Sequence, residues 1–261
     1  MLLNPQSYAI SETDCVVSIS IRVACPSRIS SRLFTNEMPV LALKNRLKDY
    51  VMNTAPDGDI SAYSLSALCT IIDKIVNDLT HHLDLFFEDD WSEKGHEISF
   101  GHDIEASWLL QEAAEVIDDA DLIRRTRILA VLIARAAARG LDSDGGLLYE
   151  SDANYRKWIH EKHWWPQAEG MVGFLNAFQL TGDRVFLQQS LGCWNFVKAR
   201  LKSPAGEWYW GIATDGTLME KDKVGPWKCP YHNSRACMEV IRRIDELMEH
   251  EKISRTETDK P

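Results

Sequence analysis

Residues 101–152, GHDIEASWLLQEAAEVIDDADLIRRTRILAVLIARAAARGLDSDGGLLYESD, decide the fold. Apolar residues recur at three- and four-residue spacing from Ile104 to Ile117 and again from Leu122 to Ala138, the pattern of two amphipathic helices. A glycine-bearing excursion, Gly145 to Asp152, follows the second helix. The same order continues on both sides. Upstream, Leu65, Leu68, Ile71, Ile72, Ile75, Val76 and Leu79 predict a helix that leads to an aromatic excursion, Leu83 to Trp91. Downstream, Ala168 to Leu180 and Val185 to Leu201 predict a helix pair, Gly206 to Gly216 (GEWYWGIATDG) an excursion, and Cys237 to Met248 a further helix. From Leu83 to Gly145 is 62 residues and from Gly145 to Gly206 is 61, so the chain is built on an internal period. Repeated helical hairpins that carry their variable clusters at one end predict an all-α helical toroid with a central pocket.

The rest of the chain narrows the function. With 261 residues it is long enough for a sizeable core. A formal charge of −10 repels phosphate backbones and anionic headgroups, which argues against nucleic acid and membrane surfaces as partners. Six cysteines at 15, 25, 69, 193, 229 and 237 form no C-x-x-C pair and lack the density of a disulfide scaffold. A reducing compartment and a cytoplasmic location are expected, since no apolar run of about 18 residues is available to span a bilayer. Residues 1–60 contain neither Trp nor His and balance six basic against six acidic residues. They are expected to be irregular, with one short strand at 16–24. Residues 61–250 form the helical domain, and 251–261 are expected to be a flexible tail.

Three clusters open the helices that follow the excursions: Gly101-His102-Asp103-Ile104-Glu105, Trp164-Trp165-Pro166-Gln167-Ala168-Glu169, and Pro230-Tyr231-His232-Asn233-Ser234-Arg235. A spacing of three puts His102 and Glu105 on one helix face, where the carboxylate could orient the imidazole or bond a substrate hydroxyl. Asp103 is the expected N-cap. The positive end of the helix dipole disfavours an imidazolium there, and a neutral imidazole serves as a base near pH 7. His232 occupies a similar setting, with Asn233, Ser234 and Arg235 as donors. Two such histidines facing one pocket suit reversible proton transfer at carbon. Trp164, Trp165 and Trp227 offer flat faces for the C–H surface of a sugar ring, whereas Trp108 and Trp194 sit in apolar helical runs and are expected in the core. No metal or cofactor is expected. H-E-x-x-H is absent, and His81-His82 and the pair His160 and His163 lack a third ligand.

Three long stretches carry a family resemblance: GHDIEASWLLQEAAEV at 101–116, KHWWPQAEGMVGFLNAF at 162–178 and KVGPWKCPYHNSRACMEVIRRI at 223–244. From about Leu83 to Ile244 the chain resembles the C-terminal part of the N-acylglucosamine 2-epimerase family, in its cellobiose 2-epimerase branch. The resemblance implies an (α/α)6 barrel and cofactor-independent inversion at C2 of a reducing-end glucose unit. It implies that His102 and His232 are the two acid/base groups and that Glu105 is the carboxylate beside the first. Trp164, Trp165, Gln167, Glu169 and Trp227 would line the sugar site. The family's earlier hairpins, which carry an arginine and a third histidine, find no match: Met52-Asn53-Thr54 is followed by Ala55-Pro56-Asp57 where histidine belongs. At roughly 60 residues per hairpin, three to four of six hairpins are expected. An N-acylglucosamine or monosaccharide substrate, and a carbohydrate-binding remnant without catalysis, are the alternative expectations.

Overall fold

The repeating unit is set by what happens where an outer helix ends. A computed structural model of the chain describes residues 60–225 and 227–258. Helix α1 (Ile60–Thr70) widens into a π turn over Ile71–Ile75, α3 (Ala120–Ala137) ends in a 3₁₀ turn over Ala138–Gly140, and α5 (Arg184–Phe196) ends in a π turn over Val197–Leu201. Each time the chain then doubles back through one antiparallel bridge: Val76 to Leu83, Leu141 to Leu147, and Lys202 to Trp208. The residue that reverses direction has a positive φ: His81 at 60°, Gly145 at 83° and Gly206 at 101°. Its N–H donates to the carbonyl of Asn77, Asp142 and Ser203 respectively. The true repeat marker is therefore His81, Gly145 and Gly206 rather than Leu83. The first copy differs in that a histidine stands where the other two use glycine, the residue that takes this conformation without strain.

The helix predicted through Leu79 ends earlier for the same reason. Val76 leaves the helix in an extended conformation, and the Asn77 carboxamide oxygen accepts from the N–H groups of Leu79 and Thr80, closing a turn. Leu79 consequently stands 92% exposed.

Inner and outer helices are joined by two-residue corners. Helix α2 (Phe100–Ile117) ends at Asp118 in the left-handed conformation, and Asp119 then caps α3 by accepting from Leu122 N–H. Helix α4 (Trp164–Thr181) ends at left-handed Gly182, and Asp183 caps α5 through Val185 N–H. Such αL-then-Asp corners satisfy the orphan groups of both helix ends.

Packing sorts the helices into layers. Helices α2, α4 and α6 (Tyr231–Thr258) are neighbours in the inner layer, and α1, α3 and α5 pack outside them. This is the wall expected of an (α/α)6-type toroid. The inner pair α2 and α4 is buried on nearly every face, as helices enclosed by others must be. Their close approach needs Gly173, whose position leaves only 2.6 Å between a Cβ and the Ile104 carbonyl oxygen. One apolar cluster fills the space between α2, α4 and α5 around Phe100, Trp108, Phe174 and Phe196. A second, around Ile72, Ile75, Leu110 and Ile133, joins α1, α2 and α3.

Residues 1–59, including the strand expected at 16–24, lie outside the described residues. The expected C-terminal tail is instead helical as far as Thr258, since no Gly or Pro interrupts the chain between Tyr231 and that point. Cys69, Cys193 and Cys237 are free thiols. No helix among the described residues is long and apolar enough to cross a membrane.

Candidate active site

Short strands deliver the inner helices to one place. Strand β1 (Glu97–Ser99) pairs antiparallel with β2 (Glu150–Asp152), which pairs with β3 (Trp158–Ile159), and β4 (Lys162–His163) pairs with β5 (Gly211–Ile212). Ser99 and His163, the last residues of β1 and β4, are the N-caps of α2 and α4. The N-cap is Ser99 and not Asp103, which lies inside the first turn. His102 is thus the third residue of α2 and His232 the second of α6.

Trp165, second in α4, is in ring contact with both histidines. Its ring centroid is 4.8 Å from that of His102 and 5.6 Å from that of His232, so the imidazoles are no further apart than those two separations together. The indole reaches this position because residue 101 is glycine: a Cβ there would stand 2.4 Å from the Trp165 ring.

The histidines are held differently. Nδ1 of His102 is 2.7 Å from Ser99 Oγ, whereas Nδ1 of His232 is 2.6 Å from Glu169 Oε1. Among the described residues, no side chain bonds either Nε2. Both rings therefore present Nε2 for chemistry. Burial pushes the His102 imidazolium down to about 3, with a further push from the charge on His232, so His102 is neutral in its resting state.

Behind His232 lies a buried charge cluster. The Arg235 guanidinium donates to Glu105 Oε1 at 3.0 Å and to Glu169 Oε1 at 2.5 Å. Trp108 Nε1 donates to Glu169 Oε2 at 3.0 Å. Burial works against ionisation of Glu169, but Arg235 and His232 overcome it and hold the carboxyl down at about 2. Burial, and next the Glu169 charge, raise the Glu105 carboxyl. An ionised Glu169 beside Nδ1 makes that nitrogen the hydrogen-bond donor. Glu105, Glu169 and His232 bring ligand-type atoms within 4.8 Å of one another. Arg235 already sits on both carboxylates, so a metal ion would have to displace it.

The structure brings together His102, His232, Glu105, Glu169 and Trp165, but not the other predicted wall residues. Gln167 is fully buried and its amide is spent on backbone: Oε1 accepts from Leu147 N–H, and Nε2 donates to the carbonyls of Leu147 and His163. It pins the 141–148 loop to the start of α4. Trp164 is core, edge-on to Trp210 at 4.8 Å and covered by Lys228. Trp227 is 55% exposed on the turn closed by Gly225 and Lys228. Glu105 bonds Arg235 and not His102, because the helix turns its carboxylate toward α6 while His102 reaches back to Ser99.

Two features escaped the sequence reading. Ser99 could have been suspected from its spacing of three before His102. The second is a hydrogen-bonded chain that runs from the exposed Arg139 to the buried Asp103. Tyr155 accepts from Arg139, its hydroxyl lies 2.6 Å from His82 Nε2, His82 Nδ1 lies 2.6 Å from Asp103 Oδ2, and Asp103 Oδ1 accepts from Leu83 N–H. It ties the start of α2 to two loops; no local pattern predicts a contact between residues 82, 103 and 155.

The depressed His102 gives a stability prediction. The unfolded chain protonates this ring near the ordinary histidine value of about 6.5, while the folded protein keeps it neutral down to about 3. Stability from this group is complete above that ordinary value and falls as pH drops through the window, by at most about 1.4 kcal/mol per pH unit. His102→Asn is expected to flatten the loss of thermal stability between pH 6.5 and 4; an unchanged slope contradicts a buried neutral His102.

Comparison with known proteins extends the resemblance. The family model described as N-acylglucosamine 2-epimerase (GlcNAc 2-epimerase) matches residues 60–236. A cellobiose 2-epimerase of Bacteroides fragilis is 48% identical over 181 residues, 69% of this chain and 46% of that protein. The crystal structure of a sugar epimerase from a ruminal bacterium is 34% identical with a TM-score of 0.70, covering 78% of this chain and 52% of the other. The cellobiose 2-epimerase of Bacillus thermoamylovorans B4167 superposes with a TM-score of 0.68 at 28% identity, covering 91% and 64%. The chain spans about half the length of the curated relatives it matches.

Proposed function

The chain belongs to the N-acylglucosamine 2-epimerase family, and from that premise we propose that it inverts C2 of the reducing-end glucose of a β-1,4-linked disaccharide, converting cellobiose to glucosyl-mannose. The observation that carries this reading is the pair of imidazoles, each with Nδ1 occupied and Nε2 open, both in ring contact with Trp165. The disaccharide rather than an N-acylated monosaccharide is chosen on the relatives' names and on the WWPQAE and KCPYHNSR stretches. The cytoplasmic location expected from the sequence belongs to the same reading.

In the ring-opened sugar, C2–H is acidic because it lies beside the C1 aldehyde. Neutral His102 takes the proton on Nε2, the electron pair is left as an enediolate, and His232, its Nδ1 held by Glu169, acts as the acid that returns a proton from the other side. Trp165 supplies the apolar face against which the sugar lies. After one turnover the protons sit on the opposite rings and must be exchanged with water before the next.

That exchange supplies the test. Incubation with cellobiose in deuterated water is expected to give the epimer carrying deuterium at C2. Epimer free of solvent deuterium would mean an internal hydride shift and would sink the two-base assignment. A second reading, sugar binding with little turnover, is supported by an exposed apolar stripe on α6, formed by Met238, Ile241, Ile244 and Met248, which leaves the inner layer uncovered beside the site. Quenching of tryptophan fluorescence by cellobiose, without any epimer, would decide for it. Activity of this chain alone against the chain with a relative's N-terminal half added in trans separates the two readings.

A further inference from the structure

We propose that Ser99 is the positioning residue for His102: its hydroxyl accepts the Nδ1–H of the ring and so keeps the Nε2 lone pair aimed at the substrate. The inference rests on the two-histidine reading above and assigns the group that decides which nitrogen of His102 is the base.

Ser99 occupies the N-cap of α2, with φ −111° and ψ 105°, yet its side chain makes no cap hydrogen bond. A serine at this position ordinarily accepts from a backbone N–H of the first turn. Here Oγ lies instead 2.7 Å from Nδ1 of the third helical residue, with Ser99 only 1% exposed. The helix end has given up its usual cap to hold a ring. The backbone of Ser99 is set by β1, where it pairs with Glu150 in the β1–β2 ladder, so the acceptor is placed by a strand before the helix begins.

The chemistry requires that direction of the bond. To break C2–H, His102 must offer a lone pair at Nε2, which in a neutral imidazole places the hydrogen on Nδ1. The proton then moves to Nε2, the C–H electron pair stays on the substrate, and the ring becomes an imidazolium with hydrogen on both nitrogens. Ser99 Oγ accepts from Nδ1–H before and after transfer, so nothing reorganises during the step. A hydroxyl donating to Nδ1 would put the hydrogen on Nε2 and block the base. His232 shows the contrasting solution. Its Nδ1 faces the carboxylate of Glu169, whereas Nδ1 of His102 faces a neutral hydroxyl.

The test reads the tautomer directly. Full-length protein labelled with ¹⁵N-histidine is examined by long-range ¹H–¹⁵N correlation, with His102→Asn used to assign the His102 ring. The wild type is expected to show the His102 hydrogen on Nδ1, Ser99→Ala to shift it toward Nε2, and Ser99→Thr to restore it. In turnover, Ser99→Ala is expected to lower kcat with KM unchanged, by roughly 10–100-fold, the scale seen for outer partners of metal-bound histidines, and Ser99→Thr to recover it. Wild-type His102 carrying its hydrogen on Nε2, or a Ser99→Ala tautomer identical to wild type, overturns the proposal. If no cellobiose is epimerised, the function reading fails while the tautomer measurement, including the wild-type measurement alone, still decides the role of Ser99.

Discussion

Replacing His232 by Asn is expected to lower epimerisation by on the order of 10²-fold or more, the usual contribution of a positioned acid–base group, while leaving abstraction of the C2 proton in place. The neutral base, His102, is untouched in that variant, and the enediolate it generates finds no acid on the other side. It collapses by taking a proton back from His102. The starting sugar is therefore expected to gain deuterium at C2 from deuterated water without forming its epimer. His102→Asn removes the base itself and is expected to abolish both exchange and epimerisation starting from the same sugar. Nuclear magnetic resonance of the C2 proton reports exchange and product in one experiment. Turnover within a few-fold of wild type in either variant would show that the two imidazoles are not the acid and base.

Arg235→Leu is expected to produce the largest loss of stability. The guanidinium is the shared countercharge of Glu105 and Glu169, which are buried to 4% and 1% exposure. Removing one partner of a buried ionic group leaves uncompensated charge in a medium that solvates it poorly, which costs about 3–5 kcal/mol. For a domain of this size that corresponds to a fall in Tm on the order of 10 °C. The pH dependence should change sign locally. In the wild type Glu169 is held down to about 2, so its contribution is present above the ordinary carboxylate value and is lost only as pH falls through that folded value. In the variant a buried carboxyl must be neutralised to fold, so stability is expected to recover as pH falls toward about 4.3. A Tm within 2 °C of wild type at neutral pH, measured by calorimetry, would mean that water reaches the cluster.

Comparing expectation with structure shows where each kind of information resides. Helices α2 to α5 were legible because apolar spacing at 3.6 residues is a local property, and neither helix pair needs a distant contact to be recognised. The period was legible too, although its first copy hid a positive-φ histidine where glycine marked the others. His102, His232 and Trp165 could be placed at one end of the repeat because each stands at the start of an inner helix. Their partners could not. Arg235 meets Glu105 across 130 residues of chain and Glu169 across 66, and such pairings depend on how α2, α4 and α6 are rotated against one another. One helix turn decides the outcome. Gln167 and Glu169 are two residues apart, so their side chains leave α4 in different directions: one goes to the backbone of a loop and the other to the His232 ring. Trp164 and Trp165 are adjacent, yet one is packed against Trp210 and the other touches both histidines. By itself the sequence determined which residues are helical, which recur, and which chemistry is available at the helix starts. Only tertiary structure decided which nitrogen each histidine holds in reserve, because the acceptors that choose it, a serine on a strand and a carboxylate on another helix, are brought there by packing.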